Sequence, residues 1–315
     1  ERIGGNLFGV EWIIGTPKSD YLISSSLGTK FDGGNGNDIL IGETNTDELL
    51  GDNGDDIIDA KSGNDTLSGG AGNDTLTGGD GTDSLTGGAG NDTYQFNTND
   101  VDAGESITEA ASGGTDTISV ITSTDFANMS NASFDEIEVI NFGGASQTAT
   151  FKGSQLTAET LVLTETVSGT SNLIVNVGSG TTATFANMTA GSGFTSGTDT
   201  ITINGTTGNE TITGPNISST ISGGSGNDIL TGGTAADIIN GGDGADALIG
   251  GSGDDIYQFN TNDVDAGESI TETSGSGTDT IVIVTTTDFT NMSAASFDEI
   301  EEIHFEGSGQ TATFT

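Results

Sequence analysis

Aspartate recurs every nine residues along two stretches of this chain, each time two residues before a large apolar or alanine-flanked strand position. The first series is Asp38, Asp47, Asp56, Asp65, Asp74, Asp83 and Asp92, and the second is Asp228, Asp237, Asp246 and Asp255. Carboxylates set among glycine-rich turns, with turn carbonyls beside them, are hard oxygen donors. Calcium is the cation that suits them, because it takes six to eight oxygens in flexible geometry, while magnesium demands a tight octahedron. Further candidate ligands are Asp20, the loop residues Asp100, Asp102 and Glu105, and their later equivalents Asp263, Asp265 and Glu268. For those loops the alternative is a solvated acidic turn. Thr29, Glu210 and Ser219 stand where the periodic aspartate is expected, so the first coil of each series is expected to bind calcium poorly or not at all.

Other chemistries lack their residues. The chain has no cysteine and one histidine, His304, which stands where an earlier copy of the same segment has Asn141. That excludes a thiolate or HExxH metal site and leaves no His-containing dyad in a repeated constellation. No G-x-S-x-G elbow occurs. Carboxylate pairs of the glycosidase kind are available by residue type, but nearly every acidic cluster occurs twice, whereas a catalytic cleft is unique. No catalytic residue is assigned, and the chain is not expected to be an enzyme.

The elements that must position the aspartates follow from the same period. Residues 69–95, GGAGNDTLTGGDGTDSLTGGAGNDTYQ, are three nonapeptides with Gly at positions one, two and four, Asp at six and a large apolar residue at eight. Nine such units, some degenerate, run from 15 to 95 without an inserted residue, and six more run from 205 to 258. A six-residue glycine-rich turn reaches conformations closed to residues with a Cβ. The next three residues are expected to form a short strand with position eight inward. Two units would close a coil, and coils would stack at the ordinary strand spacing of about 4.8 Å. The inward series is Leu22, Phe31, Leu40, Leu49, Ile58, Leu67, Leu76, Leu85 and Tyr94.

This unit resembles the nonapeptide of RTX, or haemolysin-type calcium-binding, proteins, and many copies in one unbroken register make the resemblance specific. It implies a parallel β-roll with calcium between its turns. It also implies export by a type I system, the chain staying unfolded at low cytosolic calcium and folding outside. The core supports that expectation. One buried Leu contributes roughly 1.5–3 kcal/mol, whereas ordering nine backbone residues costs about 1–2 kcal/mol each, and stacked carboxylates add repulsion that a bound cation removes.

Between and after the rolls, Thr/Ile/Val/Phe runs alternate in period two: 115–121, 134–142, 147–153, 160–166, 172–177, 181–185 and 198–204. They read as strands separated by Gly/Ser/Asn turns, with one helical turn within 123–133. They form either a wider β-solenoid continuing the roll or a small sandwich. The segment YQFNTNDVDAGESITE at 94–109 returns unchanged at 257–272, an offset of 163 residues. Phe126, Phe134, Phe142 and Phe151 recur as Phe289, Phe297, Phe305 and Phe314, which suggests core packing. The expected organisation is all-β: the end of a preceding module with the apolar run Val10–Ile14 (1–14), a roll (15–95), a β module (96–204), a second roll (205–258) and a truncated second module (259–315). The chain reads as part of a tandem array.

Five basic residues face 47 acidic ones, for a formal charge of −42. Nucleic acid and anionic membrane surfaces are excluded as partners, since nothing neutralises phosphate. No apolar run approaches the roughly 20 residues of a membrane span. The expected role is a calcium-dependent structural protein of the bacterial surface or extracellular space, an S-layer or filament subunit. Its partners would be copies of itself and cell-surface polysaccharide. The alternatives are the extender of a large RTX adhesin and a non-catalytic segment of a secreted RTX enzyme. Ice binding is disfavoured by the irregular third position, Asn35, Thr44, Asn53, Ser62, Ala71, Asp80 and Ala89.

Overall fold

The computed structural model describes residues 2–3, 12–24, 28–109, 113–272 and 277–314; Val10 lies outside them. The chain divides into two compact units, Glu1–Ala149 with Leu161–Ser171 and Gly191–Gly193, and Thr150–Thr160 with Asn172–Ala190 and Phe194–Thr315. Each unit holds one roll together with module strands. Among the described residues no helix is long and apolar enough to cross a membrane.

In the first unit, successive nonapeptides alternate between two parallel sheets. One sheet runs Tyr21–Ile23, Ile39–Thr44, Ile57–Ser62, Thr75–Thr77, Thr93–Phe96. The facing sheet runs Trp12–Ile14, Lys30–Asn35, Glu48–Asn53, Thr66–Ala71, Ser84–Ala89, Ser106–Thr108. Pairing joins each position to the same position two units on, as in Leu40 with Ile58 and Leu49 with Leu67. Two units therefore make one coil. The whole position-eight series from Leu22 to Tyr94 is buried.

The strands are longer than the three residues expected. Most span six, taking in positions one to three of the following unit, with positions eight and one both inward, as in Ile39–Thr44. Except where Ala60 stands there, glycine occupies position one of these six-residue strands, where the inward-facing site is crowded. A Cβ on Gly33 would run into the Asp38 carboxylate and crowd the Gly51 carbonyl.

Beyond Phe96 the same sheet continues through Thr117–Val120, Val139–Phe142 and Val162–Glu165, all parallel. The module is therefore a solenoid and not a sandwich. Its coils are wider: hydrogen-bonded partners stand 18 residues apart in the roll but 24, 22 and 23 apart in the module. The added residues form a second, aromatic layer of core. Phe126 packs edge-on against Phe96 at 5.1 Å and against Phe134 at 6.2 Å, beside the 3-10 turn Asn131–Ser133. The run 134–142 is strand only from Val139, because residues 134–138 form a turn in which Glu136 takes φ +63°.

The second unit repeats the plan. Asn172–Asn176, Thr200–Asn204, Thr220–Ser225, Ile238–Asp243, Ile256–Phe259, Thr280–Ile283 and Glu302–Phe305 form one parallel sheet. Thr182–Thr184, Thr211–Thr213, Ile229–Gly233, Ala247–Gly251 and Ser269–Thr271 form the facing one. One reading of the phenylalanines needs correction. Phe126, Phe134, Phe142, Phe151 and Phe289 are buried, but Phe305 and Phe314 are 50% and 45% exposed. Val162–Glu165 covers Val139–Phe142 in the first unit, whereas Glu302–Phe305 is the last strand of its sheet among the described residues. His304 is exposed on that strand and contacts Glu302 at 2.8 Å.

Candidate metal centre: carboxylate columns along each roll

Because a coil is two units, the aspartates fall into two columns per roll, one on each side. In each column the side chain of one aspartate reaches the backbone of the aspartate a coil earlier. Asp56 Oδ1 accepts the Asp38 N–H at 2.7 Å, Asp74 Oδ1 that of Asp56 at 2.7 Å, and Asp92 Oδ1 that of Asp74 at 2.8 Å. On the other side Asp65 accepts from Asp47 and Asp83 from Asp65, both at 2.7 Å. In the second roll Asp246 accepts from Asp228 and Asp255 from Asp237, each at 2.8 Å. Asp47 and Asp237 join the columns although Asn45 and Ala235 replace the fourth-position glycine; Asn45 takes φ +112° to make the turn.

The second oxygen of each carboxylate defines the site. Oδ2 of Asp38, Asp47, Asp56, Asp65, Asp74, Asp83, Asp92, Asp228, Asp237, Asp246 and Asp255 is buried and has no hydrogen-bond partner. A buried, unpaired carboxylate oxygen is among the most costly arrangements a fold can hold. Except at Asp65, whose unit opens with Ala60, each of these oxygens faces the first-position glycine of its own unit. Beside several of them lies a backbone carbonyl from the next coil, as with Asp56 Oδ2 and the Gly69 carbonyl about Gly51, or Asp228 Oδ2 and the Gly241 carbonyl about Gly223. Orphaned carboxylate oxygens beside carbonyl oxygens, with no nitrogen or sulfur, are a donor set that fits calcium. Bound there, calcium supplies the positive charge that the columns lack.

The electrostatics agree. Burial pushes the carboxyls up, against the N–H each accepts, and neighbouring carboxylates push further. Asp56 and Asp65 rise to about 7, and Asp74 and Asp83 to about 6. In the second roll Asp237 rises to about 7, and Asp246 and Asp255 to about 6. No lysine or arginine of the second roll relieves this, since residues 153–315 contain neither.

The entry coils differ in kind. Asp20 Oδ2 accepts the Thr16 N–H of its own loop at 2.5 Å. Glu210 turns one oxygen to the Gly180 N–H at 2.6 Å and the other to the Thr206 N–H at 3.1 Å. Thr29 and Ser219 donate to their columns, their N–H groups reaching Asp47 and Asp237. This contrast gives an expected result. Asp56→Asn should raise the calcium concentration at the folding midpoint about tenfold or more, since a charge-assisted contact is worth about 1.5–3 kcal/mol. Asp20→Asn should move it by less than about threefold on the same reasoning. Calcium titrations followed by circular dichroism check the pair, and equal shifts would contradict the assignment.

The acidic loops do not act as single cages. Asp100 closes its own turn, accepting from the Asn97 N–H at 2.7 Å and from its side-chain amide at 3.0 Å, and Asp102 is exposed. Asp263 and Asp265 repeat those roles. Glu105 and Glu268 instead leave the loop and extend the columns, accepting the Asp83 and Asp246 N–H groups, each at 2.9 Å. Their other oxygens, Oε1, are buried and unpaired, and burial with the adjacent carboxylates pushes both groups up to about 9.

The opposite column also outlasts the nonapeptides. Asp116 accepts from Asp92 at 2.8 Å and Glu138 accepts from Asp116 at 2.7 Å; Asp279 and Glu301 repeat this. The nine-residue period does not reach these four. A signal is present, because Gly114-Thr-Asp116-Thr-Ile118 keeps positions four to eight of the unit, displaced by inserted residues. Nor does the period disclose an exposed ladder at position five. There Asp55 accepts the Asn73 N–H and Asn73 the Asn91 N–H, both at 2.8 Å, binding the outer edge of successive turns.

A family model describing the RTX calcium-binding nonapeptide repeat in four copies matches residues 32–67, 59–94 and 222–257. No curated protein matches the chain. The matched segments coincide with the parallel coils and carboxylate columns, and RTX repeat proteins are typically exported by type I secretion. On the match and the geometry together, residues 32–94 and 222–257 are RTX calcium-binding nonapeptide repeats, which mark a calcium-binding, secreted protein.

Proposed function

We propose that the chain is a structural segment of an extracellular calcium-dependent array, an S-layer or filament subunit, and that it performs no catalysis. The observation that carries this reading is the unbroken sheet in the first unit. Strands from Tyr21–Ile23 to Val162–Glu165 stack in parallel without a break between nonapeptide coils and Thr-rich coils. Calcium clamped in the roll thus fixes the stacking of the strands that follow it in the same sheet. Tandem units with the same plan, offset by 163 residues, are suited to self-association, so the partners are copies of this chain, with cell-surface polysaccharide as the anchor. Electron microscopy of purified protein tests it: a lattice or ordered filament is expected with millimolar calcium, and none in chelator. Isolated rods under both conditions would favour the extender of a large adhesin.

A further inference from the structure

The nonapeptides stop at Gln95 and Gln258, and at each stop the surroundings of the last aspartate change. In the repeats, the space about a first-position glycine is bordered by the aspartate Oδ2 of that unit and, at several positions, a backbone carbonyl of the next coil. About Gly87 the border consists of side chains: Asp92 Oδ2, Glu109 Oε1 and the Tyr94 hydroxyl. Glu109 follows Thr108, which pairs with Thr86, so it stands opposite Gly87, where a nonapeptide would place glycine. Its side chain reaches over to Gly87; Oε2 accepts the Gly88 N–H at 3.3 Å, and Oε1 accepts the Tyr94 hydroxyl. Asp116, from the first wide coil, adds a third carboxylate, and one oxygen from each of Asp92, Glu109 and Asp116 lies within 4.8 Å of the others.

Two further observations point to a ligand. Asp92 is 1% exposed and its Oδ2, aimed at the Gly87 space beside Glu109 Oε1, has no partner. The second roll builds the same arrangement from Asp255, Glu272, Asp279 and the Tyr257 hydroxyl about Gly250, again with Asp255 buried and its Oδ2 unpaired. Three carboxylates at this separation repel one another, and the second unit's roll has no lysine or arginine to offset them.

We propose that each roll is closed by a calcium site distinct from its nonapeptide sites, formed by Asp92, Glu109 and Asp116 in the first and by Asp255, Glu272 and Asp279 in the second. A glutamate side chain takes the place of the turn carbonyl that the missing nonapeptide would have supplied. With three formal charges, the closing site binds calcium more tightly than a repeat site, since affinity in oxygen-donor sites rises with ligand charge. It seals the junction where an 18-residue coil gives way to a 24-residue one. The proposal rests on the calcium-bound reading of the rolls.

The test uses the full chain in a Trp12→Phe background, with terbium as a luminescent probe excited through tyrosine. Glu109→Gln with Glu272→Gln keeps side-chain length and an acceptor for Gly88. This variant is expected to fold with calcium, bind two fewer calcium ions by titration calorimetry, and lose at least about tenfold in affinity for the first-loaded terbium. Tyr94→Phe with Tyr257→Phe leaves the carboxylates intact; it should keep the calcium count and lose most tyrosine-sensitised emission. A full calcium count in the glutamine variant overturns the proposal. So does undiminished emission in the phenylalanine variant, which decides the matter even if the glutamine variant fails to fold. Failure of the parent chain to respond to calcium at all would instead overturn the calcium-bound reading of the rolls.

Discussion

In calcium-free buffer near pH 8 the chain is expected to lose most of its strand-rich far-UV circular dichroism, and to regain it on adding calcium. The columns hold eleven aspartates with a buried, unpaired Oδ2, and Glu105 and Glu268 end two of them in the same state. Without a cation, folding them ionised means desolvating charge with nothing to compensate it. The pH dependence follows from the direction of the shifts. These carboxyls have folded-state values above their unfolded values of about 4, so the metal-free folded state binds more protons than the unfolded chain. Stability without calcium is therefore fullest below about pH 4 and falls as pH rises. For Asp56 and Asp65 the loss is complete above about 7, and for Glu105 and Glu268 above about 9. Acidifying a calcium-free sample from pH 8 towards 5 should thus restore part of the strand signal. Calcium binding should release protons and strengthen over the same interval as pH rises. A calcium-free chain that keeps its full strand signal at pH 8 would refute this account.

The second large effect concerns a glycine. Gly54→Ala is expected to destabilise the calcium-bound first roll by about 2–5 kcal/mol, from two costs that add. Gly54 has φ +131°, outside the region open to L-residues, and left-handed backbone alone costs roughly 1–2 kcal/mol. Its new Cβ would also collide with the Gly36 carbonyl of the coil before, and forced overpacking costs typically about 1–3 kcal/mol. Gly197→Ala is the control: φ is +88° but nothing lies within 4 Å of its Cβ position, so only the backbone cost applies, about 1–2 kcal/mol. Thermal unfolding at saturating calcium measures both. Equal losses would mean that coil-to-coil contact at position four contributes nothing.

What the sequence determined by itself was everything with a local period. Position eight turns inward and position six carries the carboxylate because alternation along a strand and the glycine turn are short-range properties. The inward series from Leu22 to Tyr94 and the two-column sorting of the aspartates are legible in the repeat alone, since an insertion-free nine-residue period leaves one way to stack. The strand lengths are less legible, because a first-position glycine has the character of a turn residue and becomes strand only through its packing against Asp38 and the next coil.

Only the tertiary structure decided which oxygen is satisfied and which is left over. Asp20 and Asp56 are the same residue type at the same register position. One closes on Thr16 of its own loop and the other leaves Oδ2 unpaired beside the Gly69 carbonyl. The same holds beyond the repeats. Asp100, Asp102 and Glu105 share one loop in sequence yet do three different things, because Glu105 is matched to an N–H 22 residues earlier and Asp100 to one three residues away. The role of Asp116 is hidden by inserted residues that widen the coil to 24. A carboxylate's task is set by the donor or charge that a neighbouring coil brings within about 3 Å. Once insertions make that coil's length irregular, linear spacing no longer predicts what arrives there.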